Sequence, residues 1–96
     1  CEVHYSASKA AVIGLTKALA REVAPSGITV NAVAPGVIDT PMNRDFDSET
    51  MEALREETPV GRIGTPEDVA RAILFLADEK SSFITGQILG IDGAFI

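Results

Sequence analysis

Ile28-Thr29-Val30-Asn31-Ala32-Val33-Ala34 restricts the possible folds more than any other stretch of the chain. It is short, β-branched and almost continuously apolar, and Pro35-Gly36 stops it. Such a run reads as a strand. A strand apolar at nearly every position, without alternation, suits a parallel sheet covered on both faces. A helix, a glycine-containing stop, this strand and a loop at its carboxyl end make half of a doubly wound α/β unit. In such sheets ligands bind outside the carboxyl ends of the strands, so a site is expected at the loop that opens at Pro35.

The helix before the strand is expected over about residues 4 to 24. Val12, Leu15, Leu19 and Val23 form one apolar stripe at helical spacing, and Ala7, Ala11, Gly14 and Ala18 form a second of small residues only. Lys17, Arg21 and Glu22 take what remains. A helix apolar on two sides is buried on two sides. Pro25-Ser26-Gly27 ends it, because proline breaks a helix and glycine accepts the left-handed conformation.

Residues 36–64 form a long connection. Val37-Ile38-Asp39-Thr40-Pro41-Met42 leads into the polar stretch Asn43 to Asp47, and a short amphipathic helix follows from about Ser48 to Glu57 with Met51, Leu54 and Arg55 along one side. A connection of this length reads as a lid over a cleft, with a surface insertion as the alternative. Gly61-Arg62-Ile63-Gly64 is a turn. Thr65 is placed to cap the next helix, with Pro66 at its first position and Asp68 at the capping-box position. Val69, Ala72, Ile73, Leu76 and Ala77 give that helix its apolar face. A last strand is expected over Gln87 to Ile91, followed by a turn at Asp92-Gly93. The order is helix, strand, lid, helix, strand. Two strands cannot cover their own edges, so the chain reads as the tail end of a larger sheet.

The 96 residues are 46% hydrophobic and 23% charged, a globular composition. The net charge of −6 disfavours a nucleic-acid backbone and an anionic membrane surface as partners. No apolar run approaches the roughly 20 residues that span a bilayer. Cys1 is the single cysteine, which excludes an intrachain disulfide and fits a reducing compartment. A start at Cys1 is expected of a piece of a longer polypeptide; a lipidated terminus is disfavoured, since Tyr5 follows with no tether.

Chemistry is carried by Tyr5-Ser6-Ala7-Ser8-Lys9. Residues four apart on a helix are neighbours, with Cβ atoms about 5–6 Å apart. A free phenol is a weak acid at neutral pH. An ammonium fixed beside it favours the phenolate, and so makes the phenol a usable proton donor. His4 points about 100° away from Tyr5 on such a helix and is expected to be a bystander. Asp39 reads as a turn residue. Glu49, Glu52, Glu56 and Glu57 read as a solvated face, with no metal site. Arg44 and Arg62 could meet an anionic substrate, but a salt bridge is expected for both.

Over its whole length the chain resembles the C-terminal part of a short-chain dehydrogenase/reductase, in particular the bacterial 3-oxoacyl-acyl-carrier-protein reductases. The motifs are Tyr5-Ser-Ala-Ser-Lys9, Asn31-Ala-Val-Ala-Pro-Gly36, Gly61-Arg-Ile-Gly-Thr-Pro-Glu-Asp68, and Thr85-Gly-Gln with Asp92-Gly93. The resemblance implies an incomplete Rossmann-type α/β fold of about two strands and three helices. Residues 1–96 would be one segment of a single oxidoreductase domain, and residues 36–64 its substrate lid. It implies hydride transfer between NADP(H), or NAD(H), and a carbonyl on a small or acyl-carrier-bound substrate. Tyr5 would give the proton, with Lys9 making it more acidic and bonding the nicotinamide ribose. Pro35, Gly36, Val37 and Ile38 would line the nicotinamide, the Ile38 backbone meeting its carboxamide, and Thr40 would reach the carboxamide or pyrophosphate. It further implies a cytoplasmic homotetramer built through the first helix and through the last helix and strand. The family's glycine-rich phosphate loop, its NAD/NADP-selecting residue and its catalytic Ser and Asn are not among these residues. The 96 residues alone are therefore expected to be inactive. Ala94 stands where the family usually has a second glycine, so a positive φ there would be strained.

Overall fold

The structure, a computed structural model, describes residues 2–41 and 47–94. Cys1, Met42 and Asn43 to Phe46, with the salt bridge expected of Arg44, lie outside the described residues. Helix α1 spans Glu2–Val23 and a 3₁₀ turn Ala24–Ser26 follows; strand β1 is Ala32–Pro35. Helices α2, Ser48–Glu57, and α3, Pro66–Ala77, come next, then a 3₁₀ turn, Glu79–Ser81, and strand β2, Ile88–Ile91. Strands β1 and β2 pair. The Ala32 N–H donates to the Gln87 C=O and the Gly36 N–H to the Ile91 C=O, each at 2.9 Å. The chain advances equally on both sides between these bonds, so the strands are parallel. This is the α/β architecture that the pattern requires.

Strand β1 is shorter than expected: it begins at Ala32, not Ile28. Side chains take over the preceding backbone. The Val30 N–H donates to Thr85 Oγ1 at 3.0 Å. Asn31 donates from Nδ2 to the Ile84 C=O at 3.1 Å, and its Oδ1 accepts the Gln87 N–H at 3.0 Å. The β-branched propensity of Ile28 to Val30 is real, but Val30 finds its partners in the Thr85 hydroxyl and in the Gly86 N–H, which its C=O accepts at 2.7 Å, before the ladder starts. Within the chain, Ala32, Val33 and Ala34 are half-buried and Pro35 is exposed, less covered than a strand with both faces packed.

The chain falls into two compact units, one made of Cys1–Ala32 with Leu76–Leu89 and the other of Val33–Phe75 with Gly90–Ile96. In the first, the buried seam of α1 takes only Val23 from the expected stripes. Thr16 and Ala20 are buried at 7% and 3% exposure, with Lys9, Ile13 and Val23 half-buried in line. Val12, Leu15 and Leu19 stand 53%, 66% and 39% exposed. Thr16 can be buried because its hydroxyl donates to the Val12 C=O at 2.7 Å. Ala20 is small enough to lie against Gly86, which α1 also reaches through Lys17 Nζ, donating to the Gly86 C=O at 3.1 Å.

In the second unit α2 has the expected bounds, and Met51, Leu54 and Arg55 are its half-buried side. Asp47 caps it by accepting the Thr50 N–H at 2.7 Å. Thr58, 4% exposed, closes the other end with its hydroxyl on the Leu54 C=O at 2.8 Å. The capping box at α3 forms as read: the Asp68 N–H donates to Thr65 Oγ1 at 3.1 Å and the Thr65 N–H to Asp68 Oδ2 at 2.8 Å. Val69 and Ala72 are half-buried, but Ile73 is 49% exposed, contrary to its assignment to the apolar face. The turn after β2 is closed by the Ala94 N–H on Asp92 Oδ1 at 3.0 Å. Ala94 has φ 69°, the strained value foreseen for that position.

Candidate functional site

Tyr5 and Lys9 lie one turn apart on the unbroken α1, so they project from the same side of it. Tyr5 is 63% exposed and Lys9 half-buried. His4 is exposed. These residues belong to the first unit.

The other predicted site residues, Pro35, Gly36, Val37, Ile38 and Thr40, belong to the second unit, on the end of β1 and the loop beyond it. Gly36, Val37, Ile38 and Thr40 are half-buried; Asp39 is exposed. Gly64 pins this loop. Its N–H donates to the Val37 C=O at 2.8 Å and its C=O accepts the Asp39 N–H at 2.9 Å, so that Ile38 and Gly64 form a parallel bridge. In such a bridge the N–H and C=O of Ile38 itself point to the opposite edge, because successive peptides of an extended chain alternate. Sequence spacing read Gly61 to Gly64 as a turn only and missed this role of Gly64. The signal was the absent side chain: a Cβ there would stand 2.6 Å from Ile38 Cδ1.

A recess of about 340 Å³ lies in the same unit, with Val37, Gly64, Arg62, Asp68 and Asp92 among its walls. The Arg62 guanidinium donates to Asp68 Oδ2 at 2.9 Å, as its expected salt bridge. That bond, with the Thr65 N–H, holds the Asp68 carboxyl far below the usual carboxylate range. Asp68 in turn raises Arg62 further above its ordinary value. On α2, Glu49, Glu52, Glu56 and Glu57 are exposed, and Glu52 pairs with Arg55 at 2.6 Å. Among the described residues no three His, Cys, Asp or Glu side chains gather as a metal set, and no helix is long and apolar enough to cross a membrane.

The family model described as enoyl-(acyl carrier protein) reductase matches residues 1–95. The 3-oxoacyl-[acyl-carrier-protein] reductase FabG of Thermotoga maritima is 50% identical over 95 residues, 99% of this chain and 39% of that protein. The (2S)-[(R)-hydroxy(phenyl)methyl]succinyl-CoA dehydrogenase subunit BbsD of Thauera aromatica is 48% identical over 89 residues, 93% of this chain and 36% of that protein. The crystal structure of 3-oxoacyl-[acyl-carrier protein] reductase from Brucella melitensis matches with a TM-score of 0.87 at 46% identity, covering 94% of this chain and 34% of that one. This chain therefore spans well under half the length of each of these relatives.

Proposed function

The chain belongs to the short-chain dehydrogenase/reductase family, and from that premise we propose that it carries part of the active site of an NADP(H)-dependent carbonyl reductase acting on a 3-oxoacyl thioester. The observation that carries the reading is the Tyr5–Lys9 pair on the continuous α1, within a family match over residues 1–95. The Thermotoga relative is named for an acyl-carrier-protein substrate and the Thauera relative for a CoA substrate. Both are acyl thioesters, which favours that class over a sugar or a steroid ketone.

The nicotinamide, when bound, exchanges a hydride with the carbonyl carbon. Tyr5 gives the proton from its Oη to the carbonyl oxygen as the alcohol forms, and recovers one from solvent. The Lys9 ammonium would offset the negative charge on Tyr5 Oη once its proton has gone, and would hold the ribose hydroxyls. Pro35, Gly36, Val37 and Ile38 would line the nicotinamide, and the Thr40 hydroxyl would reach its carboxamide or the pyrophosphate. The connection over residues 36–64 would serve as the lid over the acyl chain.

Assembly into a tetramer through α1 and through α3 with β2 belongs to the same reading. It is supported by the exposure of Leu15, Leu74 and Phe83, at 66%, 70% and 101%. A cytoplasmic setting accords with the single cysteine.

The test is a panel of ketones offered to the complete gene product with NADH and with NADPH. A 3-oxoacyl thioester with NADPH is expected to give the highest kcat/KM. Turnover of no carbonyl with either cofactor would refute the proposal and leave a non-catalytic assembly module in its place. The 96 residues alone are expected neither to turn over nor to bind NADPH saturably.

A further inference from the structure

Two glycines of the second unit mark places where the chain packs with no room for a side chain, and both places are at one turn. A Cβ on Gly36 would stand 2.8 Å from Asp92 Cβ and 2.9 Å from Asp92 Cα, and the Gly36 N–H donates to the Ile91 C=O at 2.9 Å. A Cβ on Gly93 would stand 2.6 Å from Val60 Cγ2 and 2.9 Å from Thr58 Cγ2, and the Gly93 C=O accepts the Val60 N–H at 3.3 Å. Gly36 opens the connection over residues 36–64, and Thr58 to Val60 follow α2 directly. Both ends of the stretch that carries α2 therefore stand on Asp92–Gly93. The turn beneath them is itself held: the Ala94 N–H closes it on Asp92 Oδ1 at 3.0 Å, with φ 58° at Gly93. Thr58 passes that footing on to the helix. It is 4% exposed, its methyl lies against Gly93, and its hydroxyl donates to the Leu54 C=O in the last turn of α2 at 2.8 Å.

We infer that the Asp92–Gly93 turn is a positioning element for α2: it sets how the helix lies and, through it, how a long acyl chain is received. This rests on the reading that residues 36–64 serve as the lid over the acyl chain. Neither Asp92 nor Gly93 is assigned a contact with substrate; both act through Gly36, Thr58 and Val60. A close-packed contact has no slack, so a methyl forced in at Gly93 must push Thr58 and Val60 aside. Helix α2 has 10 residues and is about 15 Å long, so a small tilt at its Thr58 end grows towards Ser48. A long acyl chain that runs beneath the helix feels that displacement, and a short one held at the reacting carbonyl does not.

The test uses the complete gene product, with acetoacetyl-CoA as the short substrate and 3-oxododecanoyl-CoA as the long one. Wild type is compared with Gly93→Ala and with Thr58→Ser, which removes the methyl on Gly93 but keeps the hydroxyl on Leu54. Hydrogen exchange follows the α2 amides against those of α1, a readout that needs no substrate and separates movement of α2 from a general loss of stability. Both variants are expected to speed α2 exchange relative to α1 by about 3- to 10-fold and to raise KM for the long thioester by a similar factor. The kcat, the KM for the short thioester and the NADPH dissociation constant are expected to stay unchanged. Thr58→Ser alone decides if Gly93→Ala does not fold. Unchanged relative exchange overturns the inference. An equal rise in KM for both thioesters, or a loss of NADPH affinity, marks a merely structural role and overturns it too. Faster α2 exchange with both KM values unchanged leaves the turn as the seat of α2 and overturns instead the reading of residues 36–64 as a lid.

Discussion

The Asp68 carboxylate accepts the Arg62 guanidinium and the Thr65 N–H on a single oxygen, at 2.9 and 2.8 Å. Its affinity for a proton falls in the folded state for that reason. Asp47 is displaced in the same direction by the Thr50 N–H. A carboxyl whose folded value lies below its unfolded one stabilises the fold above the unfolded value, near 3.9, and ceases to do so as pH falls through the folded value. The melting temperature is therefore expected to decline with acidification below about pH 4. In Asp68→Asn, which starts lower, that decline is expected to be shallower. Thermal scans across the acid range, read side by side for the two proteins, check both statements.

Removing the Tyr5 hydroxyl isolates the proton step. Tyr5→Phe in the complete gene product is expected to lower kcat by about 10²-fold or more while NADPH binding is retained. Fluorescence titration and steady-state turnover separate the two quantities. Normal turnover by the variant would remove Tyr5 as the acid.

Lys9 has two tasks in the proposal, so Lys9→Ala is expected to weaken both cofactor binding and turnover. A variant that bound NADPH as wild type does and lost only turnover would strip Lys9 of its ribose contact.

Ala94 adopts φ 69° with no glycine to ease it. Ala94→Gly is expected to raise stability by about 0.5–1 kcal/mol, the relief of strain less the added freedom of the unfolded chain. Its neighbour has the opposite sensitivity. Gly93 has φ 58°, and a Cβ there would come 2.6 Å from Val60 Cγ2 and 2.9 Å from Thr58 Cγ2. Gly93→Ala is expected to lose about 2 kcal/mol or more, measured by denaturant unfolding.

How far the sequence disclosed this structure depends on which force decided each element. Helix α2 was legible, because its polar start, its Met51-Leu54-Arg55 side and its length agree. The Thr65–Asp68 box was legible because its bonds are local. Strand β1 was overrun at its start because Asn31 and Thr85 replace the ladder there, and they are far apart in sequence. The seam of α1 was misread because Thr16 and Ala20 score as poor core residues, yet one satisfies its own hydroxyl and the other makes room for Gly86. Within the candidate site, the spacing that sets Tyr5 and Lys9 on one side of α1 could be read directly. The pairing of Gly64 with the loop after β1 could not, because only the folded chain brings Gly64 beside Ile38.

Asn31 holds its partners Ile84 and Gln87 across gaps of 53 and 56 positions. During translation at about 5–20 residues per second, its amide must wait about 3–11 s for them to be made. Helix α1 forms within about a microsecond of leaving the ribosome, yet Gly86, which lies against Ala20 of its seam, comes 66 positions later. The nascent chain thus exposes that seam throughout the delay, a natural target for a holding chaperone.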